Sequence, residues 1–356
     1  MKDGIIAIGM SGGVDSSVAA YLLKQEWSRV VGVSHYIWRD SACCNSETLE
    51  RAEAVCRQLN IPFFVLNLQE EFRKYVVDNF VDSYRKGETP NPCVRCNEFV
   101  RFGLFPGEVK KMLVGEGLMR SDESLHMATG HYVRTIQSDG FTCLRKGVDV
   151  TKDQSYMLYR ISPQFLPSCS FPLGGLRKTE VIEIAKAHRF PTSSVKESQD
   201  VCFIEGKYVD FIAESIGEKG IHFPGPIIDQ FGRPIGTHRG YMNYTIGQRQ
   251  GLGLSDGPWY VSELRAETNT VVVARKNELG KRFFSIDRPH WFKPLPERFK
   301  ATVKVRYNST EIPCRIERSG ETRVELLENH VLSPGQSAVV YDDDVVIGGG
   351  IIKRGT

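Results

Sequence analysis

The sequence predicts an α/β N-terminal domain built on a parallel sheet, then a small β-rich central domain and a C-terminal β-barrel. Three observations predict this. Apolar strand-like runs alternate with helix-period segments up to about Gly206, and strand–helix–strand alternation implies parallel pairing with right-handed crossovers. The texture then changes between Gly206 and Pro226. Beyond it, short alternating runs are punctuated by Gly and Pro, as in a sandwich or barrel. A chain of 356 residues also has room for two or three domains at about 150 residues each.

The elements follow in order. Gly4 to Ile8 is a short apolar run, read as a buried strand. Val14 to Lys24 places Val18, Tyr21 and Leu22 at i, i+3, i+4, the spacing of one helix face. Val30 to Val33 is a second strand. Glu47 to Leu59 is a helix with Leu49, Ala52, Val55, Cys56 and Leu59 on one stripe, and Phe63 to Leu66 is a third strand. His126 to Thr129 reads as a further strand ending at Gly130-His131. The β-textured part contributes Pro226 to Ile228, Trp259 to Val261 and Thr270 to Ala274, then Ala301 to Val305, Val324 to Leu327 and Ala338 to Tyr341. A Pro-rich stretch from Pro289 to Pro296 suggests a boundary within it. The expected divisions are residues 1–205, 206–284 and 285–356.

Composition narrows the class. Apolar residues at 41% and charged residues at 25% are ordinary for a globular protein. The balance of 46 Lys+Arg against 43 Asp+Glu leaves +3, too little to imply nucleic acid by itself. No apolar run reaches the length of a membrane span, and the start carries no secretory pattern, so a cytoplasmic location without membrane contact is expected. Nine cysteines without an export signal are expected to be reduced thiols. Charge is unevenly placed. Arg233 to Gln250 carries Arg233, Arg239 and Arg249 with Tyr241 and Tyr244 and no acid, and Ser285 to Tyr307 has a net +4 with Trp291 and Phe292. Each stretch suits a phosphate backbone or a solvated strand face.

Ser11-Gly12-Gly13-Val14-Asp15-Ser16-Ser17 joins the first strand to the first helix. Two glycines permit a tight turn and close approach to a ligand, and a helix N-terminus attracts phosphate. Ser11, Ser16 and Ser17 are expected to add hydroxyl donors. Asp15 beside phosphate needs a bridging cation, unless it caps the helix. The loop has no Gly-Lys-Ser/Thr and no G-x-G-x-x-G, so neither the Walker nor the dinucleotide fingerprint is present.

Thr89-Pro90-Asn91-Pro92-Cys93-Val94-Arg95-Cys96-Asn97 is rich in turn residues. Two prolines stiffen it. Arg95, and a helix expected just after Asn97, would lower the Cys96 thiol pKa. Half of a zinc site is the alternative for Cys93 and Cys96, but no second Cys/His pair at suitable spacing accompanies it. Cys202, in an apolar run, reads from its neighbours alone as a buried strand cysteine rather than a nucleophile. Cys56 falls on a helix stripe and is expected in the core. Cys143, Cys169 and Cys314 are expected to be structural, and Cys43 and Cys44 have no assignment.

Several strings occur in order: Gly9-Met10-Ser11-Gly12-Gly13-Val14-Asp15-Ser16, Thr89-Pro90-Asn91-Pro92 with Cys96-Asn97, Ala128 to Tyr132 and Lys152 to Tyr156. Ser198 to Ile204, Tyr244 to Arg249, Val305-Arg306-Tyr307 and Ser333 to Gln336 follow. The first resembles the pyrophosphate loop of N-type ATP pyrophosphatases, whose fold is adenine nucleotide alpha hydrolase-like. The ordered set, spanning nearly the whole chain, resembles the bacterial tRNA-specific 2-thiouridylase family, which installs sulfur at C2 of the wobble uridine.

The resemblance implies roles. Gly9, Met10, Ser11, Gly12, Gly13, Val14, Asp15 and Ser16 would bind ATP with magnesium, Asp15 also serving catalysis, with His35 and Gly130 near the adenosine. The family usually has Met where this chain has His35. Cys96 would be the nucleophile and Cys202 the persulfide carrier. Asn91, Pro92 and Cys93 would border the target base, although many relatives have Asp in place of Cys93. His131, Lys152, Asp153, Gln154, Arg306, Tyr307 and Gln336 would touch tRNA. The partners implied are the anticodon arm and a persulfide sulfur-carrier protein fed by a cysteine desulfurase. No permanent cofactor is expected. An iron–sulfur cluster on Cys93, Cys96 and Cys202 is the minority alternative, and a ligase that adenylates a small carboxylate is a second rival.

Overall fold

The computed structural model describes residues 1–38, 45–193, 195, 201–204, 206–216 and 223–355. Cys43 and Cys44 lie outside the described residues, as do Ser198, Gln199 and Asp200.

The first layer is a parallel sheet of β1 (Lys2–Gly9), β2 (Trp27–Tyr36), β3 (Phe63–Asn67), β4 (Leu125–Ala128) and β7 (Cys169–Ser170), in the order β3-β2-β1-β4-β7. The central position of β1 follows from its composition. Ile5 and Ala7 face one core, and Ile6 and Ile8 face the other. A strand covered on both sides must be apolar at consecutive positions. Each such isoleucine contributes about 1.5–3 kcal/mol by leaving water. The edge strand β3 keeps Val65 exposed.

One face of the sheet carries α1 (Val14–Glu26) and α2 (Ser46–Gln58). The other carries two longer helical rods. The first, α3, runs through Gln69–Phe72, Arg73–Val77 and Asp78–Arg85. The second, α4, runs through Pro92–Arg95, Cys96–Leu104 and Phe105–Gly115. Its core residues are Cys96, Val100, Phe105, Val109 and Leu113. The spacing is four, except for one step of five inside the π-helical middle stretch, where a wider turn keeps one face on the core. The sequence places a helix start after Asn97, but the rod begins earlier. Asn91 caps it by accepting from the Val94 amide at 3.1 Å, and Pro92 takes the first helical position. Two more helices, α5 (Lys178–Ala187) and α6 (Tyr208–Ile216), follow.

The central unit is a sheet of β8 (Gly225–Asp229), β9 (Pro234–His238), β10 (Tyr260–Arg265) and β11 (Thr270–Ala274), in the order β10-β11-β8-β9. The C-terminal barrel has six strands: β12 (Lys281–Trp291), β13 (Arg298–Lys304), β14 (Ile312–Glu317), β15 (Thr322–His330), β16 (Ser337–Asp342) and β17 (Val345–Ile352). Pairing of β12 with β17 closes it. Gly348 makes that closure possible, because a Cβ there would lie 2.2 Å from the His290 carbonyl oxygen.

One expectation is corrected here. β12 runs through Pro289, so the Pro-rich stretch does not begin a unit, and a division after residue 284 falls inside a strand. A hairpin of β5 (Val133–Ser138) and β6 (Phe141–Lys146) follows β4 in sequence. It extends the barrel sheet, Leu144 and Arg145 pairing with Val346 and Val345 of β17.

Candidate active site

In an open parallel sheet, a ligand crevice forms at the carboxyl ends of the strands where the connections diverge. Here that point lies between β1 and β4. The loop after β1 carries the glycines, and the segment after β4 carries Gly130 and His131. The two touch, because a Cβ on Gly130 would stand 2.9 Å from the Asp15 carbonyl carbon and 2.9 Å from the Ser16 nitrogen. Gly12 adopts φ +68° with its Cα against the Thr48 carbonyl of α2. Both positions therefore require glycine. The α1 N-terminus has Gly13 at its cap and no side-chain cap, which leaves its first amides for an anion.

The serines behave differently from expectation. The Ser17 hydroxyl is fully buried, donating to the Gly13 carbonyl at 2.9 Å and accepting from Thr192 at 2.8 Å. Buried Ser16 also donates to Gly13, at 3.1 Å. Two of the three hydroxyls thus hold the loop in shape, and only Ser11 is exposed. Asp15 finds the cation it requires in Lys178, at 2.8 Å and 2.9 Å, and also accepts from the Tyr132 hydroxyl at 2.7 Å. Lys178 opens α5, far from Asp15 in sequence, and no local pattern announces it.

Two histidines line the same crevice. His35 at the end of β2 packs edge-on against Phe105, with ring centroids 5.2 Å apart. Burial, then the Arg101 charge, lowers its pKa to about 3. His131 is lowered to about 3 by the same two causes in the same order. Its Nε2 faces Arg101 Nη1 at 3.4 Å, and its Nδ1 lies 2.7 Å from the Thr129 hydroxyl. A neutral imidazole that accepts from arginine at Nε2 carries its proton on Nδ1. Arg101 Nη1 also donates to Asn97 Oδ1 at 3.4 Å.

Cys93 and Cys96 sit in the first turns of α4. Cys93 is open to solvent. Its protein surroundings push the thiol pKa up, while Arg101 pulls it down. Cys96 is 9% exposed. Cys202 is half-buried against the same core cluster that contains Cys96. Its neighbour Phe203 anchors that segment, with ring contacts of 5.3 Å to 6.2 Å to Trp38, Phe72, Phe80 and Phe211. The cysteines expected to be structural are buried or half-buried, and burial pushes Cys56, Cys169 and Cys314 up to about 12.

Most residues expected to meet tRNA lie on seams between units. Arg306 donates to the Ile246 carbonyl at 2.7 Å and to the Ser333 hydroxyl. The Gln336 amide donates to the Thr89 carbonyl at 2.8 Å, seating the barrel on the turn that precedes α4. The Tyr307 hydroxyl donates to the Asp153 carbonyl at 3.2 Å, and Gln154 Oε1 accepts from the Tyr132 amide at 3.0 Å. The Asp153 carboxylate accepts from the Ser155 hydroxyl at 2.8 Å. Asp153 and Gln154 are thus tied into the fold. Arg306→Glu removes both Arg306 bonds and sets a carboxylate against a carbonyl. A stability loss of about 1–3 kcal/mol is expected, together with weaker tRNA binding and a shallower salt dependence. Unchanged melting temperature and unchanged tRNA affinity would remove Arg306 from both roles.

Comparison with known proteins covers nearly the whole chain. A family model described as the tRNA methyl transferase HUP domain matches residues 4–206. A tRNA methyl transferase PRC-barrel domain matches 209–275, and an aminomethyltransferase beta-barrel domain matches 281–352. The tRNA-specific 2-thiouridylase MnmA 1 of Caldanaerobacter subterraneus subsp. tengcongensis is 40% identical, covering 98% of both chains. The tRNA-specific 2-thiouridylase MnmA of Carboxydothermus hydrogenoformans is 38% identical, covering 98% of this chain and 97% of its own. Among solved structures, the U34-tRNA thiolase NcsA from Methanococcus maripaludis is 17% identical over 56% of this chain and 60% of its own, with a TM-score of 0.34. On the strength of the full-length matches, the chain belongs to the tRNA-specific 2-thiouridylase family.

Proposed function

We propose that this protein is an ATP-dependent tRNA 2-thiouridylase acting on the wobble uridine. The supporting observation is one run of contacts. The phosphate-loop backbone touches Gly130, its neighbour His131 meets Arg101 of α4, and Arg101 bonds back to Asn97 on the same helix, next in sequence to Cys96. A nucleotide in the loop and a base at the start of α4 would therefore share one cleft.

The uracil O2 is a poor leaving group. Its attack on the α-phosphate of ATP expels pyrophosphate and leaves AMP as the leaving group on C2, splitting one hard displacement into two easier steps. Asp15 would hold the magnesium that accompanies ATP, and that ion would screen the phosphate charge. Lys178 supplies a positive charge there. The terminal sulfur of a Cys202 persulfide then attacks C2 and AMP departs. Cys96 thiolate attacks the inner sulfur of Cys202, so the S–S bond to the transferred sulfur breaks, 2-thiouridine is released and a Cys96–Cys202 disulfide forms. In the alternative order, Cys96 first liberates sulfide, which attacks C2. Both routes leave the same disulfide for an external reductant. A persulfide carrier protein fed by a cysteine desulfurase would load Cys202, and the anticodon arm would present the base, which a loop can splay out.

The test is incubation of the pure protein with ATP, a persulfide donor and an anticodon stem-loop RNA, aerobically and anaerobically. The expected products are 2-thiouridine by nucleoside mass spectrometry, AMP and pyrophosphate. AMP formation with a small carboxylate in the absence of RNA would favour the ligase reading. Activity only in iron-loaded anaerobic protein would favour the cluster.

A further inference from the structure

Arg101 has no assigned role, yet it stands where the two halves of the cleft meet. Both its hydrogen bonds, to Asn97 and His131, come from Nη1 and are long at 3.4 Å. A guanidinium offers five N–H donors in a planar fork. Its Nε and Nη2 donate to no described residue, and no carboxylate pairs with it among the described residues. The side chain is half-buried. Its neighbours do not answer its charge, since the amide of Asn97 is neutral and His131 is kept neutral. A half-buried cation without a counter-charge is costly, and a planar fork suits phosphate oxygens. Its field reaches the Cys93 thiol on one side and the imidazoles of His35 and His131 on the other. His131 is next in sequence to Gly130, which touches the backbone of the phosphate loop.

We propose that Arg101 is the phosphate fork of this site, holding the α-phosphate where it is joined to the uracil O2, between the loop Ser11–Ser16 and the thiol-bearing start of α4. This deepens the thiouridylase reading and rests on it for the identity of the base. In the transfer step the fork would hold two non-bridging oxygens of the α-phosphate while pyrophosphate leaves. It would stabilise the AMP dianion when sulfur displaces it.

Calorimetry with AMP and with adenosine, on wild type, Arg101→Gln and Arg101→Lys, tests this without requiring turnover. Arg101→Gln is expected to weaken AMP binding by about 10- to 100-fold and to leave adenosine binding and melting temperature unchanged. Arg101→Lys, with the charge but not the fork, should fall between. In single turnover with RNA, Arg101→Gln should lower the rate of pyrophosphate release with little change in tRNA affinity. Equal AMP affinity in wild type and Arg101→Gln overturns the proposal. Parallel loss of AMP and adenosine with a lowered melting temperature overturns it too, because Arg101 would then only support the fold. A selective loss of AMP binding in a protein that thiolates no RNA would keep the phosphate fork and discard the thiouridylase reading.

Discussion

Cys96→Ser and Cys202→Ser should each abolish thiolation, by at least about 10³-fold, while tRNA and ATP affinities stay within about twofold of wild type. The two thiols do one job in sequence, so the double variant should be no worse than either single one. Adenylation needs neither thiol in the proposed order. Both variants should therefore release pyrophosphate in the first turnover and then stall. Cys96 lies in a packed cluster at 9% exposure, so Cys96→Ala serves as a control for the cost of burying a hydroxyl there. Wild type without reductant should stop after one turnover with a Cys96–Cys202 disulfide detectable by peptide mapping. That bond requires the two Cα atoms within about 7 Å. Wild-type turnover in either single variant would end the relay.

Gly130→Ala is expected to weaken ATP binding by at least about tenfold, at a stability cost of about 1–3 kcal/mol. The added methyl would meet the Asp15 carbonyl carbon and the Ser16 nitrogen at 2.9 Å and the Asp15 oxygen at 3.1 Å. Those atoms are backbone at the first turn of α1, so relief requires moving the phosphate loop itself. Gly107→Ala is the contrast. Nothing lies within 4 Å of its added methyl on exposed helix, and a gain of about 0.5–1 kcal/mol is expected. Nucleotide titration and thermal melts of the two variants separate a local clash from a general effect of replacing glycine. Unchanged ATP affinity in Gly130→Ala would remove the contact between the two loops from the site.

The N-terminal layer was legible because its signals are local. β1, α1, β2, α2, β3 and β4 each lie within a few residues of the predicted runs, since a strand buried on both faces and a helix buried on one leave distinct apolar periods. The π-helical stretch of α4 was not legible. Its single step of five depends on which face meets the core. The β5–β6 hairpin follows β4 in sequence but pairs with a strand some two hundred residues later, and no local period encodes a partner that distant. The residues expected on tRNA were identified as a set, but their internal bonds, such as Arg306 to Ile246 and Gln336 to Thr89, were hidden for the same reason.

By itself the sequence determined the order of elements, the glycine turn beside a helix start and the family. These depend on residue type at short range, where sterics and helix geometry act. The tertiary structure alone decided which charges meet. Lys178 reaches Asp15 across the chain, Arg101 reaches His131, and both His35 and His131 are kept neutral. Electrostatic and desolvation energies depend on distance in space and on burial, and neither is a property of any single stretch of chain.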